Sequence, residues 1–265
     1  MSIGANRRDS LRIVSLAPSA TSILCAIGAK RTLVGVTKWC ADVAPVENLP
    51  KLGDCWHMES VDDILPLKPS LVIGSVPYKQ ETVAKLLEHP LNFLAMNPRT
   101  LADIANDISL LGRITGHVRD AGQLNRKMRN AFAAIARKRQ KNAKPIRMYC
   151  EAWPNPRISS PPWVAELAEI CGAKMVVPAG EKISEAQVAE ASPDVIVLAW
   201  AATGDTADGT RTYEVPAWKD VPAIRNKRVH VLRDEWLNTP GPPLLDGARA
   251  LRKIVASVTN ERGRR

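Results

Sequence analysis

The amino-acid sequence carries the same local pattern at two places. Residues 61–75 (VDDILPLKPSLVIGS) and 186–200 (AQVAEASPDVIVLAW) each contain an amphipathic segment, then a proline, then a β-branched apolar run. A second pair agrees with the first: residues 13–36 and 146–177 both pass from an apolar run through a proline-led helix pattern and a Gly-Ala pair to another apolar run. Repetition on this scale favours two similar α/β lobes over one large sheet.

The order of the elements predicts the class of each lobe. Short β-branched runs alternate with helical patterns along the chain, which is typical of parallel sheets covered by helices. We therefore expect an α/β protein with two similar Rossmann-like lobes, residues 11–116 and 144–265, whose sheets are parallel. One long backbone α-helix, residues 117–143, is expected to join them.

The predicted linking helix is strongly basic. Ten Lys and Arg side chains fall between Arg119 and Arg147, against one acid, Asp120. The apolar residues of this stretch recur with helical period, so the charges fit a solvated face opposite an apolar stripe. Phosphate contacts with nucleic acid or with an anionic membrane surface stay open as the alternative. Aromatic residues are not interleaved with the charges, and we expect no nucleic-acid partner.

Apolar runs and cysteine usage indicate the cellular compartment of the protein. No apolar run is long enough to span a membrane, and residues 1–16 contain no apolar stretch typical of a secretory signal. The five cysteines are an odd number without a tight framework, which fits a reducing compartment. These features predict a cytoplasmic protein, and we expect a monomer.

Tryptophan is unusually frequent, with seven Trp against three Tyr and two Phe. Ligands of open α/β sheets bind outside the carboxyl ends of the strands, and indole rings offer flat apolar faces with an N–H at the edge. A site for a large, flat, partly apolar ligand such as a tetrapyrrole-type ring is therefore predicted. Four tryptophans lie just past the carboxyl ends of predicted strands, among them the strand 146–150, and a fifth lies in a neighbouring loop: Trp39, Trp153, Trp200, Trp236 and Trp56. Trp163 and Trp218 are predicted to be structural.

The sequence gives little support for an enzyme or for a metal site. Motifs of serine hydrolases, phosphate loops and zinc peptidases are missing, so we expect no enzyme, no catalytic cofactor and no metal. A chelatase that uses His57 and Glu59 is the least implausible enzyme. Cys40, Cys55 and His57 form a weak candidate zinc set, since their spacing lacks a C-x-x-C pair. His57 is also a candidate ligand contact beside Trp56.

The chain resembles a known family along nearly its whole length. The stretches that carry the resemblance are RIVSLAPSATSILCAIGAKRTLVGVT, SVDDILPLKPSLVI, ASPDVIVL and VHVLRDEWLNTPGPPLLDGARAL. In order and spacing they are similar to the helical-backbone (class III) substrate-binding proteins of ABC transporters, the periplasmic family that binds cobalamin and iron-siderophores. The cobalamin-binding branch is nearest, because it shares Trp56, the aromatic residue at Trp39 and the acid-aromatic pair Glu235-Trp236.

The resemblance implies a non-enzymatic solute-binding protein that holds a corrinoid, cobalamin, in a cleft between the two lobes, for ABC-type uptake or intracellular carriage. Together with the strand-end argument, it predicts a set of ligand-binding residues: Trp39, Trp56, His57, Trp153, Trp200, Glu235 and Trp236. Binding of haem or an iron-siderophore by the same fold is the alternative. Siderophore binding ranks second to cobalamin because the chain has only three tyrosines.

Docking to a membrane permease is the remaining implication of the resemblance. The family offers one acidic residue on each lobe, which here would be Asp62 and, in the second lobe, Glu185. The matching place in the second lobe is Ala186, and a displacement of one residue turns a helical side chain by about 100°. This departure weakens the prediction of docking and favours an intracellular carrier, whereas the family itself is usually periplasmic.

Overall fold

The computed structural model describes residues 11–56, 58, 60–139, 144–204 and 206–263. Contacts between their Cα atoms divide the chain into two compact units. The first unit consists of the described residues up to Pro98 together with Ala105–Asn125. The second consists of Arg99–Ile104 and the described residues from Arg126 onward. Each unit has its own sheet and its own buried core.

The sheet of the first unit has five strands, and every neighbouring pair is parallel. The strands are β1 (Ile13–Ser15), β2 (Leu33–Thr37), β3 (Lys51–Leu52), β4 (Leu71–Ser75) and β5 (Phe93–Met96). Their order across the sheet is β3-β2-β1-β4-β5. After β1 the chain adds β2 and β3 on one side of the sheet, and it then adds β4 and β5 on the other side. The direction of winding therefore reverses between the neighbours β1 and β4.

Four helices carry the chain of the first unit and lead out of it. They are α1 (Pro18–Ala26), α2 (Gln80–Leu87), α3 (Leu101–Thr115) and α4 (Val118–Arg137), with 3-10 turns at Lys30–Thr32, Lys38–Asp42 and Leu65–Leu67. Pro18 opens α1, where its missing N–H costs nothing. Gly28, at φ 83°, adopts the left-handed conformation that follows the helix end.

The sheet of the second unit is mixed. Its strands are β6 (Ile146–Pro154), β7 (Arg157–Ser159), β8 (Ala173–Met175), β9 (Val195–Leu198) and β10 (Val229–Val231). The order is β10-β9-β6-β7, and β8 also pairs with β6. Only the β6–β7 hairpin is antiparallel among these described pairs.

The helices of the second unit surround a core that includes Tyr149 and Trp218. They are α5 (Pro162–Cys171), α6 (Glu185–Ala191), α7 (Pro222–Arg225), α8 (Glu235–Asn238) and α9 (Leu244–Gly263), with 3-10 turns at Gly209–Glu214 and Pro216–Trp218. A capping box between Ser184 and Gln187 fixes the start of α6. Within the described ranges, no helix is long and apolar enough to cross a membrane.

The predicted fold class, two α/β lobes with parallel sheets, is confirmed, with the β6–β7 hairpin as an antiparallel addition in the second unit. The predicted long helix is present as α4, whose exposed face carries Arg119 and Arg126; residues 140–143 of that prediction lie outside the described part. The amphipathic segment at residues 61–67 predicts a short helix, and this prediction is wrong, because only Leu65–Leu67 forms a 3-10 turn there. The short strand β3 was not predicted, since two residues carry no periodicity.

Gly247 in α9 provides a test of how closely α8 packs on this helix. A Cβ atom at Gly247 would lie 2.1 Å from the carbonyl oxygen of Trp236 and 2.9 Å from the Cδ2 atom of Leu237. Alanine normally favours a helix by about 0.5–1 kcal/mol over glycine, but overpacking against backbone costs about 1–3 kcal/mol. We therefore expect Gly247→Ala to lower the free energy of unfolding by about 1–2 kcal/mol in urea titrations.

Gly263→Ala in the same helix is the matched control, because nothing lies within 4 Å of a Cβ atom at that position. It should leave the stability unchanged or slightly raised. Equal stability of Gly247→Ala and the parent protein would contradict the close packing of α8 on α9.

Candidate ligand-binding site

Two buried hydroxyl groups lie where the winding of the first unit reverses. Ser75 is the last residue of β4, and Ser19 lies in the first turn of α1, just after β1. Both side chains are buried, and neither Oγ atom has a hydrogen-bond partner in the described structure. Buried polar groups are normally paired, and ligands of open α/β sheets bind at such a reversal point. The two hydroxyls are therefore candidate ligand contacts, which isolated serines in a sequence do not reveal.

Two predicted aromatic residues of the first unit lie past the carboxyl ends of parallel strands. Trp39 follows β2 in the turn Lys38–Asp42, partly exposed, with the Nζ atom of Lys38 4.4 Å from the centroid of its ring. Trp56 follows β3 and is 49% exposed, and its backbone N–H donates to Oδ1 of Asp54 at 2.8 Å. Both indole rings are accessible past the carboxyl edge of this sheet, where open α/β sheets bind ligands. The predicted contact His57 lies outside the described residues.

Trp200 lies past the end of β9, as predicted, but its indole N–H is already hydrogen-bonded within the protein. The indole Nε1–H donates to Oε1 of Glu151 at 2.9 Å, and the ring packs partly against the core of the second unit. Trp200 can therefore offer a ligand an apolar ring surface rather than a hydrogen-bond donor.

The predicted position of Trp153 just past a strand is wrong. We expected the strand to end at Cys150, but β6 continues to Pro154 and turns back into β7. Trp153 lies within this hairpin, 41% exposed, and its Nε1–H donates to the carbonyl oxygen of Asn155 at 2.9 Å. The short antiparallel partner strand, bounded by prolines, gave no strand signal in the sequence.

The helix α8 brings three candidate groups to the carboxyl end of β10. Glu235 is 7% exposed; its Oε1 atom accepts from Nε of Arg233 at 2.7 Å, whereas Oε2 has no hydrogen-bond partner in the described structure. Asn238 donates from Nδ2 to the carbonyl oxygen of Ala199 at 2.7 Å, and its Oδ1 atom is likewise buried without a described donor. Trp236, between them, is partly exposed. Two buried acceptors without described donors thus lie on the same short helix as Trp236.

Asp234 connects α8 with the turn that follows Trp200. Its carboxylate accepts from the backbone N–H of Ala202 at 3.1 Å and of Gly204 at 2.9 Å. Burial raises the pKa of Asp234 to about 6, assisted by the charge of Glu235 and by a side-chain hydrogen bond between the two carboxyl groups, and opposed by the two N–H donors. The turn after β9 is therefore held by a carboxyl group that titrates in a mildly acidic range.

Two tryptophans expected to be structural are buried in the second unit. The indole of Trp163 donates to the carbonyl oxygen of Leu237 at 2.8 Å, and that of Trp218 donates to the carbonyl oxygen of Glu185 at 2.9 Å. Their burial and satisfied N–H groups agree with a packing role.

The two predicted docking acids differ in their surroundings. Asp62 is exposed and accepts from Oγ of Ser60 at 2.7 Å. Glu185, the first residue of α6, forms an ion pair with Nη2 of Arg157 at 3.3 Å. Permease docking through these residues stays a prediction.

The cysteines of the weak zinc candidate are buried and separately engaged. Cys40 Sγ accepts from Oγ1 of Thr21 at 3.1 Å, and burial raises the pKa of Cys55 to about 12. Among the described residues, no three His, Cys, Asp or Glu side chains form a metal-binding group. His57 and Glu59 lie outside that range.

Comparison with known proteins shows which family this fold belongs to. A family model described as periplasmic binding protein matches residues 13–236. The chain is 26% identical to a vitamin B12-binding protein of Vibrio parahaemolyticus, covering 95% of this chain and 91% of the relative. It is 24% identical to an uncharacterised ABC transporter substrate-binding lipoprotein of Bacillus subtilis, covering 94% of this chain and 81% of that relative.

Solved structures agree on the fold. The periplasmic vitamin B12-binding protein of Vibrio cholerae superposes with a TM-score of 0.74 at 23% identity, over 93% of this chain and 97% of that one. A periplasmic haem-binding protein from Pseudomonas aeruginosa superposes with a TM-score of 0.79 at 22% identity, over 92% of each chain. The chain belongs to the periplasmic binding protein family.

The raised pKa of Asp234 makes stability depend on pH in a defined direction. Its folded pKa of about 6 lies above the ordinary value of 3.8, so between these values the folded state holds a proton that the unfolded state releases. The contribution of Asp234 therefore favours folding at low pH and is lost as the pH rises through 6. The contribution of Asp234 makes the free energy of unfolding of the parent protein fall between pH 4 and 7. In Asp234→Asn we expect this fall to be smaller by roughly 1 kcal/mol, after allowance for solvent screening.

Urea unfolding of both proteins at the two pH values measures this difference. Asp208→Asn is the control, because hydrogen bonds from Thr210 lower the pKa of Asp208 and its contribution has the opposite sign. Identical pH dependence of the parent protein and Asp234→Asn would contradict the assigned environment of Asp234.

Proposed function

We propose that this member of the periplasmic binding protein family is a non-enzymatic carrier of a corrinoid, cobalamin. The observation that carries the proposal is the pair of buried acceptor oxygens on α8 that have no donor in the described structure, Oε2 of Glu235 and Oδ1 of Asn238. The 26% identity to a vitamin B12-binding protein over almost the whole chain supports the same ligand.

The chemistry of the ligand periphery favours a corrinoid over haem. The corrin ring of cobalamin carries amide side chains, whose N–H groups would satisfy acceptors that otherwise lose hydrogen bonds on burial. Haem carries propionate groups, which offer only more acceptors when ionised. Arg233, which could receive a propionate, already donates to Glu235. A neutral amide-bearing macrocycle therefore fits α8 better than a dicarboxylate does.

The aromatic rings supply the apolar part of the proposed binding. Trp39 and Trp56 of the first unit, and Trp200 and Trp236 of the second, lie past the carboxyl ends of strands. Removing the faces of a large ring from water would contribute about 25 cal/mol per Å² of apolar surface. Within the first unit, the buried hydroxyls of Ser19 and Ser75 are candidate polar contacts for a ligand.

Haem is the second candidate ligand, and Lys38 is the observation that favours it. Its ammonium group lies 4.4 Å above the ring of Trp39, where it could pair with a propionate of a porphyrin stacked on that tryptophan. The solved haem-binding protein from Pseudomonas aeruginosa shares the fold.

The relatives also support a partner and a location for this carrier. One relative is named as the substrate-binding lipoprotein of an ABC transporter, and we propose that this protein likewise delivers its ligand to a permease, with Asp62 as the exposed acid of the first unit. The same relative favours a location outside the cytoplasmic membrane over the cytoplasmic one predicted from composition.

Absorbance-monitored titrations with cyanocobalamin and with hemin test the proposed ligand. We expect saturable binding of cyanocobalamin, weakened roughly tenfold or more in Trp56→Ala and in Trp236→Ala, because truncating a central aromatic contact costs about 2 kcal/mol. Leu87→Ala is the control: this exposed side chain ends α2 and is expected to leave the affinity unchanged.

The two ligands separate the candidate functions. Binding of hemin alone would establish the second candidate in place of the first. Failure to bind either ligand would overturn the proposed function altogether.

A further inference from the structure

A surface of one charge sign covers the part of α4 that belongs to the second unit. The sequence from Ala121 to Cys150 contains no Asp or Glu. None of the exposed Lys and Arg side chains here forms an ion pair with a described acid. Six of them lie on α4 or on the two residues after it, and we call them the basic face: Arg126, Lys127, Arg129, Arg137, Lys138 and Arg139.

The basic face lies on the side of α4 that is open to solvent. Arg126 and Arg137 are eleven positions apart, which is about three helical turns, so they project from the same side. Arg129 is three positions from Arg126 and is its neighbour on the helix surface. The opposite side carries Leu124 and Met128, which are buried. The apolar stripe therefore packs inward and the cations face outward.

The stability of the helix accounts for only half of these charges. Arg137, Lys138 and Arg139 lie at the carboxyl end of α4, where the helix dipole favours cations. Arg126 and Arg129 lie in the middle of the helix, where like charges three residues apart destabilise it. A solvated helix usually avoids this repulsion by mixing both signs of charge. An anionic partner would remove the repulsion, so the middle of the basic face fits a binding surface.

A cleft with cationic walls lies directly past the end of α4. Arg139, Lys144 and Arg252 line it, and its described lining contains no acidic side chain. Arg252 is held in place, because its Nη1 atom donates to the carbonyl oxygen of Cys171 at 3.3 Å and its Nη2 atom donates to that of Lys138. The basic face thus ends in a recess where a single phosphate group would meet three cations.

Phospholipid fits both features better than nucleic acid does. An anionic membrane presents many phosphate groups in one plane, which a row of cations on an amphipathic helix can meet, and a basic recess between helices accepts a single head group. Single-stranded nucleic acid is bound through aromatic side chains that stack on its bases. The basic face contains no aromatic residue, and Phe132, the one aromatic side chain of α4, is half-buried.

We propose that the basic face and the cleft at its end bind the phosphate groups of an anionic phospholipid membrane, so that the second unit rests with α4 against the bilayer surface. The contact is made with head groups, because the described part of α4 in this unit exposes no large apolar side chain that could insert. The inference goes beyond the proposed function and holds whatever ligand the protein carries.

Sedimentation with vesicles tests the proposal on the full chain. We expect the protein to sediment with an equal mixture of phosphatidylcholine and phosphatidylglycerol and to stay in solution with phosphatidylcholine alone. The Debye length falls from about 10 Å at 0.1 M salt to about 3 Å at 1 M, so binding should be lost at the higher concentration. Equal binding to both kinds of vesicle, or binding that survives 1 M salt, would overturn the proposal.

Substitutions on the basic face locate the contact. Each cation near an anionic surface contributes roughly fivefold to the affinity, so the double variant Arg126→Gln, Arg137→Gln should bind mixed vesicles about twentyfold more weakly. Glutamine has nearly the helix propensity of arginine, and circular dichroism checks the fold. Arg126→Lys with Arg137→Lys keeps the charge and should keep the affinity, which a loss of helix packing would not allow.

The matched control removes the same charge elsewhere in the second unit. Lys182 and Lys219 are exposed and belong neither to the basic face nor to the cleft, so Lys182→Gln with Lys219→Gln should bind mixed vesicles as the parent protein does. An equal loss of affinity in this control would assign binding to net charge alone and overturn the proposal.

Lys144→Gln tests the cleft separately. We expect it to weaken vesicle binding roughly fivefold, because it removes one of the three cations around the phosphate group. Unchanged affinity in this variant would overturn the placing of a head group in the cleft.

Duplex DNA and cyanocobalamin separate this inference from the other readings of the chain. At 0.15 M salt, where the Debye length is about 8 Å, we expect binding to mixed vesicles and none to duplex DNA. Tighter binding of DNA, lost in the Arg126→Gln, Arg137→Gln variant, would overturn the assignment to lipid. That variant should bind cyanocobalamin as the parent protein does. Vesicle binding by a parent protein that binds no cyanocobalamin would overturn the proposed function and support the membrane contact.

Discussion

Parallel strand pairing is the constraint on which the placement of the candidate site depends. All strand pairs of the first sheet are parallel, and those among β6, β8, β9 and β10 are parallel as well. Parallel pairing forces each connection to leave a sheet at the same edge. The side chains that follow β2, β9 and β10 are collected at these edges for that reason, although they are far apart in the sequence. The ligand-binding character of each unit follows from its topology rather than from any single motif.

Hydrogen-bond satisfaction separates the structural polar groups from the candidate ligand contacts. Glu151 is fully buried and receives donors from three side chains, so it stabilises the protein as it stands. Glu235 is nearly as buried but has donors for one oxygen only, and Ser19 and Ser75 have none in the described structure. Since an unmet buried polar group costs about 1–3 kcal/mol, these positions gain most from a ligand that supplies the missing partners.

Those parts of the fold that a periodic or repeated sequence pattern encodes can be predicted from the sequence. The duplicated pattern of residues 61–75 and 186–200 predicts two α/β units, and the strand-end tryptophans predict the edges where Trp39, Trp200 and Trp236 lie. Trp153 was misplaced because the hairpin partner β7 is only three residues long. The contacts of Glu151 could not be predicted, because they join residues brought together by strand register and by the hairpin rather than by spacing.

We propose that the buried acceptors on α8 without described donors select a ligand that donates hydrogen bonds from its periphery. Comparing the affinity for cobyric acid, whose corrin ring keeps its amide groups, with that for cobyrinic acid, whose amides are all replaced by carboxylates, tests this claim most directly. Loss of one or more hydrogen bonds to buried groups is worth about 1–3 kcal/mol, so the account predicts that cobyrinic acid binds roughly tenfold to a hundredfold more weakly at neutral pH. Equal affinity for the two corrinoids would contradict it.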